Sequence, residues 1–251
     1  MTSGYDFGYQ WNFTHIHLIP FVLFGAITAA GIRWRWRRWI TALAAMAALW
    51  GLCGFAITQL VFVPNSPMPL PTGRFLASGA GRVADLGAGS GRASLMVLLT
   101  RPKSTVVGLD RFAQNYGIVG NSPARFLANM KVAGVQDRAE VQTGDMREMP
   151  FPEDSFDAAV SSFAIDHLSR EGEKQALAET SRILKPGGEF LLMVINRDIW
   201  VRIAYPFLHG HGYFGMMPAR QRWIGLVEAA GFDMVEDGTI PGTLYILARA
   251  K

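Results

Sequence analysis

The chain has 251 residues, half of them hydrophobic, a formal charge of +4 and one cysteine. That length holds one medium domain and an appendage, and a lone cysteine excludes an intrachain disulfide or a multi-thiolate metal site. The charge is local. Residues 1–63 hold Arg33, Arg35, Arg37 and Arg38 against Asp6 alone, while the remainder carries 20 basic and 19 acidic side chains, a balance that offers nucleic acid no broad footprint.

Residues 1–15 are polar and aromatic and lack the basic start of a secretory signal, so no cleavage is expected. An apolar stretch follows at 16–32, at the lower length limit for crossing a bilayer, with Pro20 near its start where a helix tolerates it. Arg33-Trp34-Arg35-Trp36-Arg37-Arg38-Trp39 then alternates the two side chains that favour the membrane–water boundary. A second apolar stretch, 39–63, carries no charge; as a helix it would reach about 37 Å, enough to cross with tilt. Gly51 and Gly54 would allow close helix–helix contact, and so a homo-oligomer through these helices. Cys53, in the same run, is expected to be a small buried hydrophobe in a reducing compartment. The competing reading is a pair of buried helices in a soluble bundle; the uncharged length favours a membrane. Pro64 to Gly73, with four prolines in eight positions, predicts an extended, semi-rigid spacer. The resulting layout is a membrane-associated region at 1–63, a linker at 64–73 and a domain at 74–251.

Val83-Ala84-Asp85-Leu86-Gly87-Ala88-Gly89-Ser90-Gly91 reads as a buried strand running into a glycine turn, with a helix from Arg92 to about Leu99. Alternate glycines clear Cβ atoms from a ligand's path, and the helix start points bare N–H groups at it. A polar part of a ligand is therefore expected on this turn. A dinucleotide fingerprint would need glycine where Arg92 stands, and no Gly-Lys-Ser/Thr of a P-loop follows. A purely structural glycine turn is the alternative. Ser104 to Asp110 predicts a second strand ending in an acid, placed to meet ribose hydroxyls or to cap the next helix. A helix over 120–134 and a third strand from Ala139 into Gly144-Asp145-Met146 come next.

The pattern D-x-G-x-G-x-G from Asp85 resembles the first motif of class I S-adenosylmethionine-dependent methyltransferases. Phe151-Pro152-Glu153-Asp154-Ser155-Phe156-Asp157, Leu184-Lys185-Pro186-Gly187-Gly188 and Ala230-Gly231-Phe232 resemble, in order, later passages of the ubiquinone/menaquinone-type members. The resemblance covers about residues 75–251. It implies an α/β, Rossmann-like seven-stranded mixed sheet with helices on both faces, here preceded by one or two hydrophobic membrane helices. It implies S-adenosyl-L-methionine as cofactor, held by Asp85, Gly87, Ala88, Gly89, Gly91, Asp110, Arg111, Asp145, Met146 and Ser162, with Asp145 at the adenine amino group. No metal is implied.

On the acceptor side, Asp166 and His167 follow the fourth strand, and a capping role there is the alternative. The aromatic insertion 205–217 offers His209, His211 and Tyr213 as further catalytic candidates, or else is a surface loop. The leading expectation is methyl transfer to a lipophilic, membrane-borne acceptor, a quinone precursor or an aminophospholipid, with membrane lipids as partners and the catalytic domain facing the cytoplasm. Methylation of a volatile or metalloid acceptor, and a non-catalytic cofactor sensor, are the alternatives. Two spans would put the four arginines on the far side, against the positive-inside tendency, so the topology stays open between one span, a shallow hairpin and an exception to the rule. Removing residues 1–63 is expected to spare cofactor binding.

Overall fold

A computed structural model describes residues 4–113, 118–206 and 219–251. They form two compact units: residues 4–8, 65–196 and 219–251 in the larger, residues 9–64 and 197–206 in the smaller.

The larger unit is built on seven strands: β1 Ala80–Leu86, β2 Lys103–Asp110, β3 Ala139–Thr143, β4 Phe156–Ser162, β5 Leu184–Ile195, β6 Phe232–Ile240 and β7 Thr243–Ala250. Their order is β3-β2-β1-β4-β5-β7-β6, with β7 antiparallel to both neighbours and the other pairings parallel. The central strands are apolar runs: Val83, Ala84 and Leu86 are fully buried, as are Ala158, Ala159 and Val160 across the ladder. Burial on both faces is why these strands read as continuous hydrophobic runs instead of alternating ones. The order reverses beside β1, so the carboxyl ends of β1, β2 and β4 leave a crevice between them.

The helices start where the sequence provides caps. In α4 (Arg92–Thr100) the N-cap is Gly91 at φ +86°. A Cβ there would collide with Met130 Cε and come within 3.0 Å of the Phe126 ring. The helix expected over 120–134 is shorter: α5 runs Pro123–Val132, because Ser122 caps it by accepting from the Arg125 N–H, and Pro123 suits the first turn. Ser169 likewise caps α6 (Arg170–Ile183), accepting from the Gly172 N–H at 3.2 Å. The larger unit closes with α8 (Ala219–Ala229) between β5 and β6. The proline-rich linker is not a free spacer: Met68 and Thr72 are buried, and the carbonyls of Ser66 and Gly73 accept from Arg92 and Arg101.

The smaller unit contains α1 (Trp11–His15), α2 (Leu18–Arg33), α3 (Arg38–Ile57) and α7 (Ile199–Ala204). α3 continues as a π-helical turn to Phe62, giving 25 helical residues that include an 18-residue stretch of mean hydropathy 2.0, by length and composition enough to cross a membrane. α2 and α3 form a hairpin whose contact face is made of small residues. A Cβ on Gly51 would lie 2.6 Å from the Phe21 amide nitrogen, and one on Gly31 would lie 2.6 Å from Thr41 Oγ1. Glycine there lets the backbones approach. The outer face is Leu43, Met46, Leu49 and Leu52 on α3 with Val22 and Leu23 on α2, all exposed. Cys53 lies on that outer side and is exposed, not buried as its apolar context predicts. Ala44, Ala48, Gly51 and Gly54 take the inner positions instead.

α7 is capped by Asp198, which accepts from the Trp200 and Val201 N–H groups. It is tied into the hairpin unit rather than to the strand it follows. His17 Nε2 donates to the Ala204 carbonyl at 2.5 Å, and Trp50 Nε1 donates to that of Ile203 at 2.8 Å. Tyr205 donates to the Phe13 carbonyl and stacks on the Phe13 ring, centroids 5.1 Å apart.

Candidate cofactor and acceptor site

The crevice at the reversal point is lined by Gly87 and Gly89 after β1, Asp110 and Arg111 after β2, and Gly144, Asp145 and Met146 after β3. Phe163, Ala164, His167 and Leu168 line it after β4, with Ile118 and Asn121 ahead of α5. Of the predicted cofactor residues, Gly87, Gly89, Asp110, Arg111, Asp145 and Met146 therefore converge.

The turn provides room more than donors. The N–H groups of Gly87 and Ala88 both go to the Leu109 carbonyl, at 2.8 and 3.0 Å. That of Gly89 goes to Asp110 Oδ2 at 2.9 Å. These three N–H groups staple the turn to β2. What the glycines supply is a floor without side chains. At Gly87, φ is +80°, and a Cβ would fall on that of Ala164 and within 3.0 Å of Met146 Cε. At Gly89 it would come within 3.2 Å of Ile118 Cδ1.

Asp110 organises the rim. Besides the Gly89 N–H, its carboxylate accepts the Phe112 N–H at 2.5 Å and faces Asn121 Nδ2 at 3.5 Å. Oδ2 takes one N–H and keeps a second acceptor site, and the 3.5 Å Asn121 contact on Oδ1 is long enough to give way to a hydroxyl. Asp145 is gripped by Arg147 through contacts of 2.6 to 3.2 Å, with Arg111 at 3.8 Å. The Arg147 hydrogen bonds hold its carboxyl below the usual range, so it is an acceptor for any N–H donor brought to it. Phe163 sits at φ +51°, a conformation non-glycine residues rarely adopt, as the chain leaves β4.

The remaining predicted residues lie elsewhere. Ala88 is buried in the turn, and Gly91 is under α5. Ser162 donates to Met68 Sδ at 3.1 Å and does not line the crevice. Asp166 is buried and accepts the Ile195 N–H at 3.4 Å, tying its short 3-10 turn to β5, whereas His167 in the same turn is exposed on the crevice wall. His209, His211 and Tyr213 lie outside the described residues. The lining residues Ile118, Asn121, Phe163, Ala164 and Leu168 carry no local sequence signal.

Asp85 is also displaced from its expected role. It is buried beneath the turn, where Oδ2 accepts from Ser94 Oγ at 2.6 Å and Oδ1 has no hydrogen-bond partner among the described residues. Burial pushes its carboxyl up to about 7, against the lowering effect of the Ser94 hydrogen bonds. The folded chain then holds a proton that the unfolded chain releases near pH 4. Stability contributed by this group is full below about pH 4 and is lost as pH rises to about 7. Asp85→Asn still accepts from Ser94 but cannot ionise. Its stability relative to the parent should rise by about 3 kcal/mol between pH 4.5 and pH 8 in thermal unfolding scans. Parallel pH profiles would rule out the buried, protonated acid.

This arrangement fits S-adenosylmethionine: a side-chain-free floor, a carboxylate for paired hydroxyls and a held acid for an amino group. The Methyltransferase domain family model matches residues 83–188. The chain is 26% identical to a ubiquinone/menaquinone biosynthesis C-methyltransferase of Syntrophotalea carbinolica, over 69% of this chain and 78% of that one. It is 32% identical to a 2-phytyl-1,4-naphtoquinone methyltransferase of Synechococcus elongatus, over 61% of this chain and 71% of that one. Among solved structures, an S-adenosylmethionine-dependent methyltransferase from Methanosarcina mazei shares the fold, with a TM-score of 0.52 and 16% identity over 68% of this chain and 93% of that one. The chain belongs to the class I S-adenosylmethionine-dependent methyltransferases.

Proposed function

We propose that this methyltransferase acts on a lipophilic acceptor held in a membrane, a quinone precursor before an aminophospholipid. The observation that carries the reading is the α2–α3 hairpin, whose inner face is glycine and alanine and whose outer face exposes leucine, valine and methionine. An apolar face of that extent marks an interaction surface. Because the side chains are apolar all round both helices, a bilayer interior suits them better than an interfacial position, which needs a charged face. Trp34, Trp36 and Trp39 at the tip, exposed among four arginines, suit a headgroup layer. The relatives named for quinone methylation favour a quinone ring as the acceptor.

S-adenosylmethionine supplies the activated methyl carbon, and the chain's residues hold and shield the reacting pair. Asp110 would accept the ribose hydroxyls and Asp145 the adenine amino group, with Met146 against the ring. Phe163, Ala164 and Leu168 exclude water from the β4 side. His167, exposed on the same wall, is the titratable group placed to take a proton from the acceptor as it reacts.

The test is methyl-tritiated S-adenosylmethionine added to the full chain in vesicles carrying a demethylated polyprenyl naphthoquinol. Label should appear in the organic extract and run with the methylated quinone. Label in phosphatidylethanolamine would favour the aminophospholipid, and label in the headspace would favour a volatile acceptor.

A further inference from the structure

Residues 5–8 lie beside the cofactor crevice, and Asp6 is 123 residues away in sequence from its partner Asn129. Asn129, fully buried on α5, holds residue 6 by both main-chain groups. Its Oδ1 accepts the Asp6 N–H at 2.9 Å, and its Nδ2 donates to the Asp6 carbonyl at 2.8 Å. The same Nδ2 donates to the Ser90 carbonyl at 2.8 Å, inside the glycine turn. Phe7 is buried and stacks on Tyr5. Gly8 then accepts the Val119 N–H at 2.8 Å through its carbonyl. Its own N–H donates to Asp6 Oδ1, and Arg125 pairs with Asp6 at 3.4 Å.

Two walls of the crevice are therefore held by one strap. Val119 lies between Ile118, whose Cδ1 caps the space over Gly89, and Asn121, which faces Asp110. Ser90 lies between Gly89 and Gly91. We propose that residues 5–8, locked by Asn129, are positioning residues for S-adenosylmethionine: they set the separation between the glycine turn and the 118–121 rim. None of them lines the crevice, so they act through Ser90 and Val119. The expectation that residues 1–63 can be removed without touching cofactor binding does not fit this arrangement.

Gly8 is the sharpest point at which to disturb the strap. Its φ is +73°, and a Cβ would lie 2.7 Å from the Val119 carbonyl oxygen and 2.9 Å from Ile118 Cγ2, so even alanine must push the rim or leave it. The inference rests on reading the crevice as the cofactor site, and the experiment separates the two. Full-length Gly8→Ala, Asp110→Ala and, as a control, Gly4→Ala are titrated calorimetrically with S-adenosylhomocysteine in detergent. Gly8→Ala should weaken binding and raise KM for S-adenosylmethionine about tenfold while kcat stays within about twofold, and Gly4→Ala should match the parent. Parent-like affinity in Gly8→Ala with loss in Asp110→Ala would overturn the strap alone. Parent-like affinity in both would overturn the site itself. On the unaltered chain, S-adenosylhomocysteine should slow amide hydrogen exchange at residues 5–8. Slowing confined to the crevice would also overturn the proposal, even if Gly8→Ala fails to fold.

Discussion

Asp110→Ala is expected to weaken S-adenosylhomocysteine binding by about 10²–10³-fold. Two losses add at this residue. The carboxylate offers charged acceptors for hydroxyl groups, each such bond being worth about 1.5–3 kcal/mol. It also holds the Gly89 and Phe112 N–H groups, so its removal frees the turn on one side and the start of the 112–121 segment on the other. Asp110→Asn separates these contributions. Its amide keeps one acceptor oxygen but must present an NH2 to one of two N–H groups, so it should recover part of the loss only. Binding within about threefold of the parent in the alanine variant would remove Asp110 from the cofactor site.

A charge on the outer face of the hairpin gives an effect whose sign depends on what covers that face. Leu43 and Leu49 are each more than half exposed on α3. If water covered them, Leu43→Asp with Leu49→Asp would be neutral or would improve solubility. If lipid covers them, each aspartate costs about 2.5–3.5 kcal/mol at mid-membrane, and the pair should shift partitioning by more than about 10³-fold. The parent should resist carbonate extraction from membranes, and the double variant should appear in the supernatant. A parent that extracts as readily as the variant would refute a bilayer-embedded hairpin.

The parts of the site legible in the sequence are those fixed by short spacing. The glycine turn, Asp110 and the Gly144-Asp145-Met146 turn are each set by a strand end and the residues immediately after it, and the crevice collects them. The central strands β1, β2, β4 and β5 follow from apolar runs, whereas β3 and β6 are largely polar and the count of seven comes from the family resemblance. What was hidden depends on long-range packing. No periodicity links Asp6 to Asn129, so the strap could not be read. Phe163 enters the crevice through a left-handed backbone that its residue type argues against. Asp85 shows the opposite difficulty: a motif position suggested contact with ligand, whereas burial and Ser94 took its carboxylate. Cys53 is exposed despite its apolar context because α3 is apolar on every side, so hydrophobicity there does not distinguish inside from outside. The signal was residue size, since the positions of Ala44, Ala48, Gly51 and Gly54 trace the face that meets α2.

The membrane-borne acceptor is tested most directly by surface dilution. The full chain is given vesicles in which the demethylated naphthoquinol is held at constant bulk concentration while its mole fraction in the bilayer is lowered with inert lipid. An enzyme drawing its acceptor from the membrane plane should slow in proportion to mole fraction, because the local concentration it meets is set there. A rate that follows bulk concentration alone, unchanged by dilution in the bilayer, would contradict the account.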